Sequence, residues 1–162
     1  MQWVSLAGTA LGAVIALLAT ALNERVKWGR EQVVGRRKLC QEAYSRFLAA
    51  LTDAHERMRV VALAGDGGEG GRAAAVLDVF RDVGCYQVRY EMSLVAGQEV
   101  LDGAEKCFQL LRDIRDEFAG GAVVESPEYV ALRRAYRTAL RELQAAMRVD
   151  LGAGTVDFAG GS

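Results

Sequence analysis

His55 is the single histidine of the chain. Together with Glu56 it invites comparison with the HExxH helix of zinc hydrolases, where two imidazoles one turn apart hold the metal and the glutamate takes a proton from its water. One imidazole cannot do this. His55 lies next to a core position of a helical stretch, and a partly exposed helix residue is the reading its place favours. Cys40, Cys85 and Cys107 are an odd number, without CxxC spacing, in separate helical stretches. They read as buried thiols of a reducing compartment. A nucleophilic thiol needs a base, and His55 is the one on offer.

Gly65-Asp66-Gly67-Gly68-Glu69-Gly70 formally spells GxGxxG. The dinucleotide loop works because a strand delivers backbone amides to a pyrophosphate at a helix start. Here a helical stretch precedes the glycines, Asp66 and Glu69 would repel phosphate, and no lysine follows, since the run ends Gly71-Arg72. A flexible connector is the better reading. Asp113, Asp116 and Glu117 share one helix with Arg112 and Arg115, and the di-iron bundle pattern needs a Glu-x-x-His from each of two helices, which one histidine forbids. Tyr86-Gln87-Val88-Arg89-Tyr90 and Arg133-Arg134-Ala135-Tyr136-Arg137 mix rings with guanidiniums as a base-stacking surface does. With acidic company for each basic residue elsewhere on the bundle, core tyrosines beside solvated charges are preferred. No catalytic, cofactor-binding or metal residue is therefore expected, and the chain is not expected to be an enzyme.

The elements that carry these residues follow from how the charge is laid out. The 162 residues are 51% hydrophobic and 25% charged, with one proline, so one domain with a real core is expected and a disordered chain is not. All 41 charged side chains fall after residue 23. From Trp3 to Leu22 the chain reads WVSLAGTALGAVIALLATAL, twenty uncharged residues. As a helix these would rise ~30 Å, the thickness of a hydrocarbon core. A cleaved signal peptide competes, because Ala19-Thr20-Ala21 resembles an A-x-A site, but Met1-Gln2 supplies no basic flank and the apolar run is long. Residues 24–38 then hold six basic side chains (Arg25, Lys27, Arg30, Arg36, Arg37, Lys38) against Glu24 and Glu31. Positive flanks stay on the cytoplasmic side, so the expected topology is a single-pass anchor in the plasma membrane, N-terminus outside and the remainder cytoplasmic.

Trp3 and Trp28 bracket this span as interfacial aromatics do. Gly8 and Gly12, extended by Ala16 and Thr20, form a small-residue face on which a second membrane helix could approach, so self-association is one expected partnership. The basic collar is first a topology signal and second an attraction for anionic lipid. Residues 39–162 carry 14 basic and 19 acidic side chains, which gives a nucleic-acid backbone no reason to bind.

Beyond the collar every periodic stretch has helical spacing. Cys40, Tyr44, Phe47, Leu51, Ala54, Met58 and Val61 repeat at 4-3-4-3-4-3, a coiled-coil-like seam. A second helix is expected over about 72–94 on Val76, Phe80, Val83, Tyr90 and Leu94, with Gly84 and Gln87 as imperfections. A break follows at Gly97. The third helix places Val100, Ala104, Cys107, Leu111, Ile114 and Phe118 inward and Glu105, Arg112, Arg115 and Asp116 outward. Loops are expected at the 65–71 glycines and at Ala119-Gly120-Gly121. The last helix opens at Ser126-Pro127-Glu128, a capping serine, an N1 proline and an acid at the positive helix end. It carries Tyr129, Leu132, Tyr136, Ala139, Leu143 and Ala146 on one face and ends near Val149.

The expected fold class is thus all-α: one N-terminal transmembrane helix continuing into a cytoplasmic antiparallel helical bundle of about four helices, or three were Gly97 not a break. The expected divisions are 1–23 anchor, 24–38 basic juxtamembrane segment, 39–149 bundle and 150–162 loose tail. The uncharged anchor, the basic turn Arg36-Arg37-Lys38, the segment Tyr44-Ser45-Arg46-Phe47-Leu48-Ala49-Ala50-Leu51 and Leu94-Val95-Ala96-Gly97-Gln98-Glu99-Val100 together resemble a loose group of small membrane-anchored helical proteins of actinobacteria. Members of that group often have prolines where this chain has Gly97-Gln98, which implies a break there. The resemblance implies a fold and an anchored setting, and no activity. The expected role is a membrane-tethered helical interaction or scaffold module, the alternative being an oligomerising membrane-disturbing effector.

Overall fold

The computed structural model describes residues 34–64 and 69–153, and the chain divides into two compact units that meet between Lys38 and Leu39. The described part of the first unit, residues 34–38, is helical and exposed. The uncharged stretch 3–22, with Gly8 and Gly12, the basic residues Arg25, Lys27 and Arg30, and the tail beyond 153 lie outside the described residues. Among the described residues no helix is long and apolar enough to cross a membrane.

In the second unit, helical residues 39–64 form α1. They are followed by α2 (Glu69–Asp82), α3 (Cys85–Ser93), α4 (Gln98–Ala119) and α5 (Pro127–Asp150), and no strand occurs among the described residues. The hydrophobic periods explain why these segments stay together. The α1 seam from Cys40 to Met58 is buried, as is the entire α4 stripe from Val100 to Phe118. On α5 Tyr129, Tyr136, Ala139 and Leu143 are buried, and Leu132 and Ala146 are half-buried. Each large side chain removed from water in this way contributes ~1.5–3 kcal/mol. Ser126 Oγ accepts the Tyr129 amide at 3.3 Å with Pro127 at the first helical position, as the sequence pattern implies.

Contacts fix the directions. Gly97 lies by Asp150, Gly103 by Leu143, Lys106 by Glu142 and Phe118 by Tyr129, so α4 and α5 run antiparallel. Arg72 reaches the carbonyl of Gly121 and Phe80 meets Phe108, which sets α2 antiparallel to α4. Tyr44 meets Asp150 while His55 meets Tyr129, so α1 is antiparallel to α5. The result is an antiparallel bundle whose second rod is α2 and α3 in succession. Gly103 lets the α4 and α5 backbones approach, since a Cβ there would stand 3.2 Å from Leu143 Cδ1 and 3.6 Å from its Cα. The break at Gly97 is real: α3 ends before it and α4 starts at Gln98.

Three expectations fail here. The helix expected over 72–94 is interrupted at Val83-Gly84, where Gly84 has φ of 73°, a left-handed conformation that costs a side-chain-bearing residue roughly 1–2 kcal/mol. The turn resets the helical phase. Tyr90 and Leu94, expected inside, are 65% and 83% exposed, while Cys85 and Met92 take the core positions. The glycine-rich run is not all loop, because Gly70 and Gly71 fall in the first turn of α2. On α4, Glu105, Arg112 and Arg115 are half-buried rather than exposed, because α3 and α2 close over that flank through Arg89 and Phe80.

Candidate functional site

A polar cluster inside the bundle is built by α1 and α5. Tyr129 and Tyr136 lie seven residues apart, two turns along one face of α5, and His55 of α1 enters beside them. Tyr129 Oη is 3.3 Å from His55 Nε2, and the ring centroids of Tyr129 and Tyr136 lie 6.3 Å and 5.5 Å from the imidazole. The partly exposed position expected for His55 is corrected: it is 8% exposed, because α1 is covered over a stripe wider than its 4-3 seam. Burial holds the imidazole below its ordinary value of 6.5, with Arg59 and Arg133 acting in the same direction and Glu56 opposing. A neutral ring that accepts the Tyr129 hydroxyl at Nε2 keeps its own proton on Nδ1, 3.6 Å from Glu56 Oε1.

Around this cluster the other reactive groups are silenced by the same burial. The Tyr129 phenol is raised by burial, and that of Tyr136 further, by burial and then by Cys107 and Cys85. The Cys85 and Cys107 thiols are pushed up to about 11, chiefly by burial. All three cysteines are free and buried, as expected. The Tyr136 hydroxyl is buried and has no hydrogen-bond partner among the described residues. Among the described residues no group of three or more His, Cys, Asp or Glu side chains is placed to hold a metal ion. The arrangement fixes α1 against α5 and leaves the imidazole 8% exposed.

The two tyrosine-arginine segments part company in the structure. Tyr86 packs edge-on against Phe80 and Phe108, and Arg89 lies over the Phe108 ring at 5.1 Å while bonding Glu105 at 2.8 Å. Arg115 covers Phe80 in the same manner, also at 5.1 Å. These rings are committed to packing, whereas Tyr90 is open to solvent.

On α5 the outcome differs. Val130, Arg133, Arg134, Arg137, Leu140 and Arg141 line an open groove of about 520 Å³ on the outer face of the helix. The acidic company expected for these arginines is missing. Among the described residues Arg133, Arg134 and Arg137 enter no ion pair, and Arg141 Nη2 reaches Thr138 Oγ1 at 3.4 Å. The flanking carboxylates are engaged elsewhere, Glu56 with Arg59 and Glu142 with Lys106, both at 2.8 Å. Asp113 shares the next groove with Arg134, yet the two form no ion pair. The signal lay in the sequence as a spacing of one, three and four residues from Arg133 to Arg141, a single helical face. Of the expected lipid-facing residues, Arg36, Arg37 and Lys38 are exposed.

Comparison of the chain with protein-family models, with curated proteins and with solved structures gives no match.

Proposed function

We propose that the protein is a membrane-tethered helical interaction module without catalysis of its own, single-pass, with its N-terminus outside and its bundle on the cytoplasmic side. The observation that carries this reading is the uncharged stretch Trp3–Leu22 followed by the six basic side chains of residues 24–38. The resemblance to anchored actinobacterial proteins points the same way. Supporting it, His55 and Tyr129 of the bundle core are bonded to each other, and the arginines that enter no ion pair among the described residues lie on an outer face, where a partner would meet them.

The test is fractionation with topology reporters. The chain should stay with membranes through alkaline extraction, a reporter at the N-terminus should be active outside and one at the C-terminus inside. Release by alkali would overturn the anchor. Crosslinking in the native host should return a reproducible partner; a strictly monomeric protein with none would overturn the module.

A second reading, an oligomerising membrane-disturbing effector, is favoured by the Gly8, Gly12, Ala16 and Thr20 spacing. It requires growth arrest or dye leakage on overexpression, abolished by Gly8→Ile with Gly12→Ile.

A further inference from the structure

The groove on α5 is a charged surface whose arginines enter no ion pair among the described residues. Its four arginines run from Arg133 to Arg141, about 12 Å along the helix axis, and among the described residues none of them meets a carboxylate. This occurs in a body, residues 39–162, with five more acidic than basic side chains, so the positive charge is local and not an effect of overall composition. The stripe also carries apolar side chains, Val130 at 42% exposure and the half-buried Leu140.

Guanidiniums bind phosphate through two parallel hydrogen bonds and hold water more weakly than ammonium groups do. One phosphate would engage one or two of them. Four strung along an open helix face, with alkyl groups at intervals, match an array of phosphates with an apolar layer beneath, which is the chemistry of an anionic bilayer surface. Tethering adds to the argument. A body held beside a bilayer meets its headgroups at high effective concentration, so a modest attraction suffices to settle its orientation.

We infer that the outer face of α5, through Arg133, Arg134, Arg137 and Arg141, docks on anionic lipid headgroups, so that the bundle lies along the membrane with α5 toward it. This rests on the anchored reading above, and the experiment separates the two. The full chain is reconstituted in vesicles of phosphatidylcholine alone or mixed with phosphatidylglycerol. A fluorophore is placed at Thr138→Cys, between Arg134 and Arg141, or at the exposed Asp78→Cys on α2; the native thiols are buried and stay unlabelled. A headgroup-bound nitroxide lipid is the quencher.

In anionic vesicles the probe at 138 should be quenched several-fold more than the probe at 78. The difference should collapse in phosphatidylcholine, at high salt, and in the combined Arg133→Gln, Arg134→Gln, Arg137→Gln variant. The corresponding Arg→Lys variant, which keeps the charge, should retain most of it. Equal quenching at both positions, or an undiminished signal in the glutamine variant, overturns the inference. A stripe built for an acidic protein would leave position 138 unquenched on both vesicle types, which also overturns it. Alkaline extraction of the same vesicles reads the anchor independently. A chain that washes off yet shows selective quenching at neutral pH refutes the anchor and upholds the stripe; a retained chain with equal quenching does the reverse.

Discussion

Acidification should loosen the contact between α1 and α5 through one residue. His55 is held neutral by burial, below its ordinary value of 6.5, whereas in the unfolded chain it titrates near that value. Between the two values the unfolded state binds the extra proton, so stability rises with pH in that window. The contribution is fully present above about pH 6.5, declines as pH falls toward the folded value and levels off below it. The limiting slope for one proton is about 1.4 kcal/mol per pH unit. With a urea dependence of ~1–3 kcal/mol per molar, this moves the unfolding midpoint by roughly 0.5–1.4 M per pH unit. Among the described residues the one carboxyl with a directional shift, Glu105, is lowered from 4.5, first by the hydrogen bond from Gln109, so its effect falls at more acid pH. As the single histidine, His55 gives an unambiguous imidazole signal in a nuclear magnetic resonance titration of the folded protein in detergent. Its midpoint should lie below 6.5, and urea midpoints measured between about pH 7.5 and pH 5 should fall with acidification. His55→Gln keeps an acceptor for Tyr129 and should flatten this dependence while lowering stability throughout. An imidazole that titrates at or above 6.5, or equal pH slopes in both proteins, would refute the reasoning.

Tyr136→Phe removes a buried hydroxyl that has no partner among the described residues and should leave stability unchanged or raise it by up to about 1 kcal/mol, read from thermal or urea unfolding. Gly84→Ala should cost roughly 1–2 kcal/mol, because φ of 73° there strains any residue with a Cβ; a neutral result would mean the turn between α2 and α3 is not left-handed. Ser126→Ala should cost about 1 kcal/mol through loss of the cap on the Tyr129 amide, measured in the same way. Cys85 and Cys107, pushed up to about 11 and buried, should react with a disulfide reagent at pH 8 far more slowly in the folded protein than in urea; immediate reaction of either would contradict their burial.

The α1, α4 and α5 stripes could be read from spacing because each helix runs unbroken for many turns, so a 3.6-residue period keeps its phase. The second rod could not. Gly84 was visible as an imperfection, but spacing does not reveal that a left-handed residue rotates everything after it, exchanging Tyr90 and Leu94 for Cys85 and Met92. His55 shows a different limit. A 4-3 seam marks the centre of a buried stripe and not its width, and a helix covered on two sides also buries the positions flanking the seam. The arginine groove was legible as a solvated face, and Arg134, Arg137 and Arg141 are exposed; what failed was the acidic company expected for it, because the presence of acids elsewhere on the bundle says nothing about which basic group they meet. Glu56 and Glu142 lie within easy reach on paper, and the fold gives them to Arg59 and Lys106.

The hydrogen bond from Tyr44 to Asp150, 2.6 Å long, joins the opening turns of α1 to the last turn of α5. The bundle is therefore entered and left at the same end. In mechanical terms, tension applied between its two ends would not stretch the helices lengthwise. It would pull Leu39 and Leu151 apart sideways and load Tyr44 with Asp150 first, then the α1–α5 seam contact by contact toward His55 and Tyr129. Such peeling yields at lower force than sliding whole helices past one another, so the tyrosine–aspartate latch marks the point at which this fold would give way first.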